Sequence, residues 1–227
     1  MSETASGSDF DDAGSAASGS DFDDAGSAAS GSDFDGAAEW DERYRSADRL
    51  WTADVNPALI AEVSDVTPGT ALDVGSGEGA DARWLADRDW QVTAVDISQV
   101  AIDRARETDA RESITWLQAD LTEDEIPGVE FGLVSLQYFP IARSDDRTMG
   151  KILDAVGPGG HLLVVSHEAE GIRAHGRNPD DYFQPGDIAA LLGDGWTTVT
   201  EETRERGVAA GGGAHTHDVV LHARRKS

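Results

Sequence analysis

From residue 70 onward the chain alternates short apolar runs with stretches in which apolar residues recur every three or four positions. Short continuous runs are typical of strands buried on both faces of a parallel sheet, whereas the longer spacing is typical of amphipathic helices. The first run ends at Asp73, and the other four occupy residues 91–95, 113–119, 131–139 and 160–167. Helices are predicted between and after them, at residues 79–88, 98–109, 186–193 and from 145 to a stop at Gly157-Pro158.

The end of the chain predicts an antiparallel hairpin. Residues 196–205 and 215–225 are joined by the glycine-rich segment 207–214 and can pair at a sheet edge. Together the pattern predicts an α/β fold of three layers, with a seven-stranded, mostly parallel sheet that ends in a C-terminal antiparallel hairpin. A dehydrogenase would continue instead with a second parallel half.

A glycine-rich turn follows the first predicted strand. Asp73 ends an apolar run, and glycines stand at 75, 77 and 79. Backbone without side chains can turn tightly and let a ligand approach closely. Gly75, Gly77 and Ala80 also satisfy the GxGxxG/A pattern of dinucleotide-binding folds, and a tight turn without any ligand has the same composition.

Two further acids follow the next predicted strands. Asp96 lies about twenty residues beyond the turn, the spacing at which an acid can bind ribose hydroxyls. Asp120 can accept a hydrogen bond from an exocyclic amine, while Ile97 and Leu121 offer apolar surface to a purine. Three acids at strand ends suit an ammonium, a ribose and an adenine amine better than a pyrophosphate. Each acid alone is equally typical of a helix N-cap or a solvated loop.

In this order and spacing, the motifs LDVGSGEG, VTAVDIS and QADL resemble those of the class I S-adenosylmethionine-dependent methyltransferases. The resemblance covers roughly residues 40–224 and implies the three-layer Rossmann-like methyltransferase fold with S-adenosyl-L-methionine as cofactor. WDERYR and the compact C-terminal half are similar to the small tellurite-resistance and thiopurine-type enzymes. The resemblance assigns Asp73 to the cofactor's amino group, Gly75, Ser76 and Gly77 to its methionine moiety, Asp96 to the ribose, and Asp120 with Leu121 to the adenine.

Candidate residues for the methyl-transfer chemistry follow the fourth and fifth predicted strands. Gln137 and Tyr138 are expected beside the cofactor's methyl group, because ligands of open α/β sheets bind beyond the carboxyl ends of strands. A general base is needed only for an acceptor that arrives protonated, and His167 and then Tyr138 are the candidates. Further candidates on the polar segment 167–187, which suits a substrate-covering loop, are His175 and Tyr182. Strand-end packing is the competing interpretation for these residues.

The segment before the first strand is expected to cover the cofactor cleft. Trp40, Tyr44 and Trp51 could close it, with Arg43 or Arg49 near the cofactor's carboxylate. An amphipathic helix lying on the sheet is the alternative.

The first 39 residues differ from the rest. A twelve-residue unit, ASGSDFDDAGSA, occurs twice and a third, degenerate copy follows. Each unit has one large apolar residue, Phe10, Phe22 or Phe34, so burial cannot offset the entropy of ordering. We predict a disordered acidic tail over 1–39, which binds a partner or merely solvates the chain, and one catalytic domain over 40–227.

Charge and composition narrow the functions further. The formal net charge is -26, and Lys151 and Lys226 are the only lysines. Such a surface suggests a halophilic protein and disfavours nucleic acid, whose phosphates need basic grooves. The chain has no cysteine, and His215 and His217 lack an accompanying acid pattern, so no metal site is predicted. Without a signal peptide or an apolar run of membrane-spanning length, a soluble cytoplasmic protein with no membrane partner is expected.

These observations predict a methyltransferase that acts on a small molecule. A nicotinamide-dependent oxidoreductase and a non-catalytic protein that binds S-adenosylmethionine are the alternatives. The acceptor atom stays open, as does the choice between a monomer and a homodimer.

Overall fold

The structure is a computed structural model, and it describes residues 36–126, 128, 130–174, 176–206 and 217–227. Its strands are β1 (Thr70–Val74), β2 (Gln91–Asp96), β3 (Ile114–Gln118), β4 (Phe131–Gln137), β5 (Val156–His167), β6 (Trp196–Glu205) and β7 (His217–Arg225). Its helices are α1 (Ala37–Arg45), α2 (Pro57–Val63), α3 (Ala80–Ala86), α4 (Gln99–Thr108), α5 (Asp146–Ala155), α6 (Ala169–Ala174) and α7 (Pro185–Leu191), and Pro179–Asp181 form a 3-10 turn.

The strands form one seven-stranded sheet in the order β3-β2-β1-β4-β5-β7-β6. The pairs among β1 to β5 are parallel, and β7 pairs antiparallel with both β5 and β6. The predicted α/β fold with a C-terminal antiparallel hairpin is therefore confirmed. Strand order reverses between β1 and β4, which places a ligand crevice at the carboxyl ends of these two strands.

Helices cover both faces of the sheet, so each face has its own apolar core. Leu59 of α2, Leu85 of α3 and Ile102 of α4 pack on one face. Ile152 of α5 and Ile188 of α7 pack on the other. All five side chains are buried, as the continuous apolar character of the strands requires.

Strand β5 begins earlier than the sequence indicates. It starts at Val156 rather than residue 160, and helix α5 ends at Ala155, before the expected Gly157-Pro158 stop. A register shift accommodates the extra residues opposite Phe131. A Cβ atom on Gly160 would lie 2.7 Å from the Phe131 carbonyl oxygen, so the glycine belongs to a close strand contact rather than to a turn.

Several predictions fall on residues outside the described ones. They concern the repeat tail up to residue 35, His175, His215 and the glycine-rich connection 207–214. Helix α1 begins at Ala37, inside the range predicted as tail.

Candidate functional site

The glycine-rich turn joins β1 to α3 at the point where strand order reverses. Gly75, Gly77 and Gly79 have φ angles of 71°, 52° and 83°, a left-handed conformation that favours glycine. The backbone N–H groups of Gly75 and Ser76 both donate to the Val95 carbonyl oxygen, at 2.8 and 3.0 Å. A Cβ on Gly75 would lie 2.9 Å from the Phe139 ring. The turn thus presents bare backbone at the predicted crevice.

Three enclosed carboxylates surround this turn. Asp96 accepts hydrogen bonds from the backbone N–H groups of Gly77 and Ser98, both at 2.8 Å, and burial raises its pKa to about 6. Asp81 accepts from the Asn56 N–H at 2.8 Å. Although Asp81 as a residue keeps some exposed surface, its carboxylate is enclosed, and burial raises its pKa to about 6.

Asp73 is the most strongly perturbed of the three. Burial raises its pKa well above the usual range, and the negative charges of Asp81 and Asp96 raise it further, against a hydrogen bond from the Ala82 backbone. Its Oδ2 atom and the Ser76 Oγ atom are buried without a hydrogen-bond partner among the described residues. Such orphaned oxygens next to repelling carboxylates call for a cationic hydrogen-bond donor.

The predicted adenine-binding residues lie together beyond β3. Asp120 is half-buried, and its Oδ1 accepts from the Thr122 backbone N–H at 3.0 Å and hydroxyl at 2.7 Å. Ile97 is half-buried at the end of β2. The Leu121 side chain is only 4% exposed and packs in the core beneath α5, so it leaves little surface for a purine.

Two aromatic residues of the N-terminal segment, Tyr44 and Trp51, lie over the glycine-rich turn. A Cβ on Gly77 would lie 3.0 Å from the Tyr44 hydroxyl and 3.4 Å from the Trp51 ring. The Trp51 indole N–H donates to the Tyr44 hydroxyl at 3.0 Å. Trp40 is 6.2 Å from Tyr44 and 6.5 Å from Trp51 between ring centroids, and the Arg43 guanidinium stacks on it at 4.8 Å.

Sequence reasoning missed the polar residues that attach this segment. Asp41 of α1 accepts from the Ser98 hydroxyl at 2.7 Å and from the Val100 N–H at 3.2 Å, at the start of α4. Glu78, inside the glycine motif, forms an ion pair with Arg104 at 3.0 Å. The available signals were an acid within a glycine-rich turn and an arginine on helix α4, but neither residue type reveals which residue it pairs with.

The two predicted catalytic residues are brought together beyond β4 and β5. Tyr138 and His167 stack with ring centroids 4.3 Å apart and an interplanar angle of 17°. The Tyr138 hydroxyl donates to Asp218 at 2.8 Å, and burial raises the pKa of Tyr138. The Arg206 guanidinium lies 4.9 Å from the centre of the same ring. Asp218 and Arg206 were not identified from the sequence.

The neighbouring candidates have defined positions too. The Gln137 amide nitrogen donates to Ser135 at 2.9 Å, while its Oε1 is buried and has no hydrogen-bond partner in the part of the chain that the structure describes. Tyr182 forms an antiparallel bridge with Ala142. No group of three or more potential metal ligands occurs among the described residues, and none of the helices described is long and apolar enough to span a membrane.

Comparison with known families identifies the central part of the chain. Residues 71–160 match the family described as methyltransferase domain. An uncharacterized methyltransferase of Mycobacterium tuberculosis is 34% identical over 128 residues, which are 56% of this chain and 65% of the relative. Nodulation protein S of Rhizobium tropici is 27% identical over 136 residues, 55% of this chain and 57% of that protein. The chain thus spans less than two thirds of these relatives.

Solved structures share the fold. The N-methyltransferase NodS from Bradyrhizobium japonicum, in complex with S-adenosyl-L-homocysteine, superposes with a TM-score of 0.66 over 85% of this chain and 100% of that chain, at 21% identity. A TehB-like S-adenosylmethionine-dependent methyltransferase from Corynebacterium glutamicum gives 0.54 over 84% and 96%, at 18% identity. At these identities the likeness concerns the fold.

Proposed function

Since the chain belongs to the class I S-adenosylmethionine-dependent methyltransferases, we propose that it transfers a methyl group from that cofactor to a small-molecule acceptor. The observation that carries the proposal is the excess of negative charge at the glycine turn. The charges of Asp81 and Asp96 there both raise the pKa of Asp73, and a buried oxygen of Asp73 has no hydrogen-bond partner among the described residues. A ligand with an ammonium group would offset the negative charge and supply the hydrogen-bond donor that this oxygen lacks.

The residues present fit this cofactor. Asp73 would receive the ammonium group, and Gly75 and Gly77 present backbone without a side chain, since a Cβ at either position would crowd Phe139 or Tyr44. Asp96 has a second task, because its two oxygens hold the backbone of the turn and of Ser98. The cofactor supplies a methyl group already activated on a sulfonium, so the protein's contribution is alignment and exclusion of water. Trp40, Tyr44 and Trp51 serve to exclude water.

Roles for Tyr138 and His167 follow from their contacts. Tyr138 donates its proton to Asp218, and its pKa is raised, so we assign it to positioning rather than to proton removal. His167 then serves as the base when the acceptor arrives protonated, oriented by its stack on Tyr138.

The antiparallel β6–β7 hairpin favours this function over a nicotinamide-dependent oxidoreductase, in which a parallel half would follow. The solved NodS enzyme is an N-methyltransferase, and amines therefore come first among the acceptors to test. The narrower grouping with tellurite-resistance enzymes, which rests on WDERYR and motif spacing, stays a proposal, as do activity at high salt and a cytoplasmic location.

Two measurements test the function. Calorimetry should detect binding of S-adenosylhomocysteine and none of NADH. Methyl transfer from labelled S-adenosylmethionine to a metabolite library at high salt should then label at least one acceptor, with Asp96→Ala as the inactive control. Binding of NADH instead would refute the proposal, and cofactor binding without transfer to any acceptor would indicate the non-catalytic alternative.

A further inference from the structure

Glu78 lies between two glycines of the turn, yet its side chain is directed to another part of the molecule. Its Oε2 accepts hydrogen bonds from the backbone N–H groups of Leu50 and Trp51, at 3.1 and 3.2 Å. Its Oε1 pairs with Arg104 at 3.0 Å, and Glu78 is only 9% exposed. One carboxylate of the glycine-rich turn therefore holds the segment between α1 and α2.

Arg104 completes the attachment from helix α4. Its second guanidinium nitrogen donates to the Ala47 carbonyl oxygen at 2.8 Å. The stretch from Ala47 to Trp51 has no helix or strand of its own, so these side-chain contacts determine where it lies. We call residues 40–51 the cover segment.

The attachment has a direct consequence for the turn. Trp51, whose N–H is held by Glu78, is 50% exposed and is fixed otherwise by its contact with Tyr44. Both side chains stand within 3.4 Å of the position of a Cβ on Gly77. We call Tyr44 and Trp51, which cover the turn, the aromatic roof. Displacement of Glu78 would therefore release the aromatic roof, and movement of the turn would displace it.

We propose that Glu78 is a positioning residue that couples the glycine turn to the cover segment, so that cofactor binding and closure of the aromatic roof stabilise each other. The inference rests on the proposed cofactor site but not on methyl transfer. It assigns a role to an acid that touches no catalytic group. It also predicts that the indole of Trp51 reports on binding.

The chain contains a matched control for Glu78. Glu62 pairs with Arg204, and the exposed fractions of the two partners, 9% and 26%, equal those of the Glu78–Arg104 pair. Glu62 lies on α2 and bonds to Thr200 and His222 of the edge hairpin, away from the turn. Glu78→Gln and Glu62→Gln each remove one buried charge of an ion pair, and only the first is expected to affect the cofactor.

The experiment titrates S-adenosylhomocysteine into each full-length variant and follows tryptophan fluorescence. Wild type should show a change that is largely absent in Trp51→Phe. Glu78→Gln should raise the dissociation constant at least about tenfold, which is 1.4 kcal/mol, and abolish the change. Arg104→Lys keeps the charge but replaces the two guanidinium nitrogens that bond to Glu78 and Ala47 with a single ammonium, and it should give an intermediate effect. Glu62→Gln should lower the melting temperature comparably without changing affinity.

The outcomes separate the two proposals. Failure of wild type to bind S-adenosylhomocysteine would overturn the proposed function, and this inference with it. Wild-type binding with an unchanged dissociation constant in Glu78→Gln would overturn the inference alone. Equal losses of affinity in Glu78→Gln and Glu62→Gln would also overturn it, since they would show a general effect of stability. If Glu78→Gln does not fold, unchanged affinity and fluorescence in Arg104→Lys would overturn it.

Discussion

Asp73, Asp81 and Asp96 form a carboxylate cluster at the glycine-rich turn, and binding of a cation there should release protons. In the ligand-free protein Asp73 holds its proton to an unusually high pH, because burial and the charges of Asp81 and Asp96 oppose its ionisation. An ammonium group beside it favours the ionised form, so its pKa falls in the complex. Protons must leave wherever the pH lies between the pKa values of the bound and free states.

The size of the effect follows from the pKa values. Asp81 and Asp96 have pKa values of about 6 in the free protein, so near pH 6 the cluster holds protons on more than one carboxyl. We expect release of about one proton per S-adenosylhomocysteine at this pH, and each proton released makes affinity rise about tenfold per pH unit. The affinity should therefore increase with pH through this region, and the slope should decrease only above the raised pKa of Asp73 in the free protein.

Calorimetry in buffers of different ionisation enthalpy counts the released protons directly. Asp73→Asn should suppress the release and weaken binding by about 2–5 kcal/mol, the cost of removing one partner of a buried charge pair. In contrast, its ligand-free form should melt higher than wild type at pH 8. A carboxyl whose folded pKa is raised stabilises the protein fully at low pH and loses that contribution as pH rises, and asparagine has no such loss. A pH-independent affinity with no buffer dependence would refute the reasoning.

Three further outcomes are expected. Gly79→Ala should lower the free energy of unfolding by roughly 2–4 kcal/mol in urea titrations, because its Cβ would stand 2.3 Å from the Trp116 ring at a φ of 83°; Gly193→Ala, with nothing within 4 Å, should have little effect. Burial lowers the pKa of His161 to about 4, so its contribution to stability is present above pH 6.5 and lost on acidification toward pH 4. Denaturation of His161→Gln should show that about 1 kcal/mol of this pH dependence is gone, a reduced figure because the ring is half exposed. The melting temperature of the full chain should rise between low and molar KCl, and a flat or falling trend would contradict the halophilic interpretation.

The acids at the strand ends were predictable, because the apolar run that predicts each strand also marks the acid that follows it. Asp73 and Asp96 close continuous apolar runs, and β6 has the predicted bounds, 196–205. The start of β5 was not predictable in this way, since Gly157 and Gly160 resemble a turn. A Cβ on Gly160 would crowd the Phe131 carbonyl oxygen and one on Gly157 would crowd Glu130, and no local sequence pattern reveals these neighbours.

The contacts that complete the site join residues distant in sequence. Glu78 and Arg104 are 26 positions apart, and Tyr138 and Asp218 are 80 apart. Periodicity places each residue on its element but does not specify which charged groups face each other across elements. The role predicted for Leu121 shows the same limit, because only the packing of α5 reveals that its side chain is enclosed.

Acidic residues at the surface and at the site respond differently to salt. Most carboxylates of the described residues are exposed, and their repulsion is screened over about 3 Å in molar salt. Asp73, Asp81 and Asp96 are enclosed, so ions in solution screen the effect of Asp81 and Asp96 on Asp73 much less. High salt should therefore stabilise the fold but should not remove the preference of the cluster for a bound cation. A ligand with an ammonium group can bind tightly under conditions that weaken ordinary surface ion pairs.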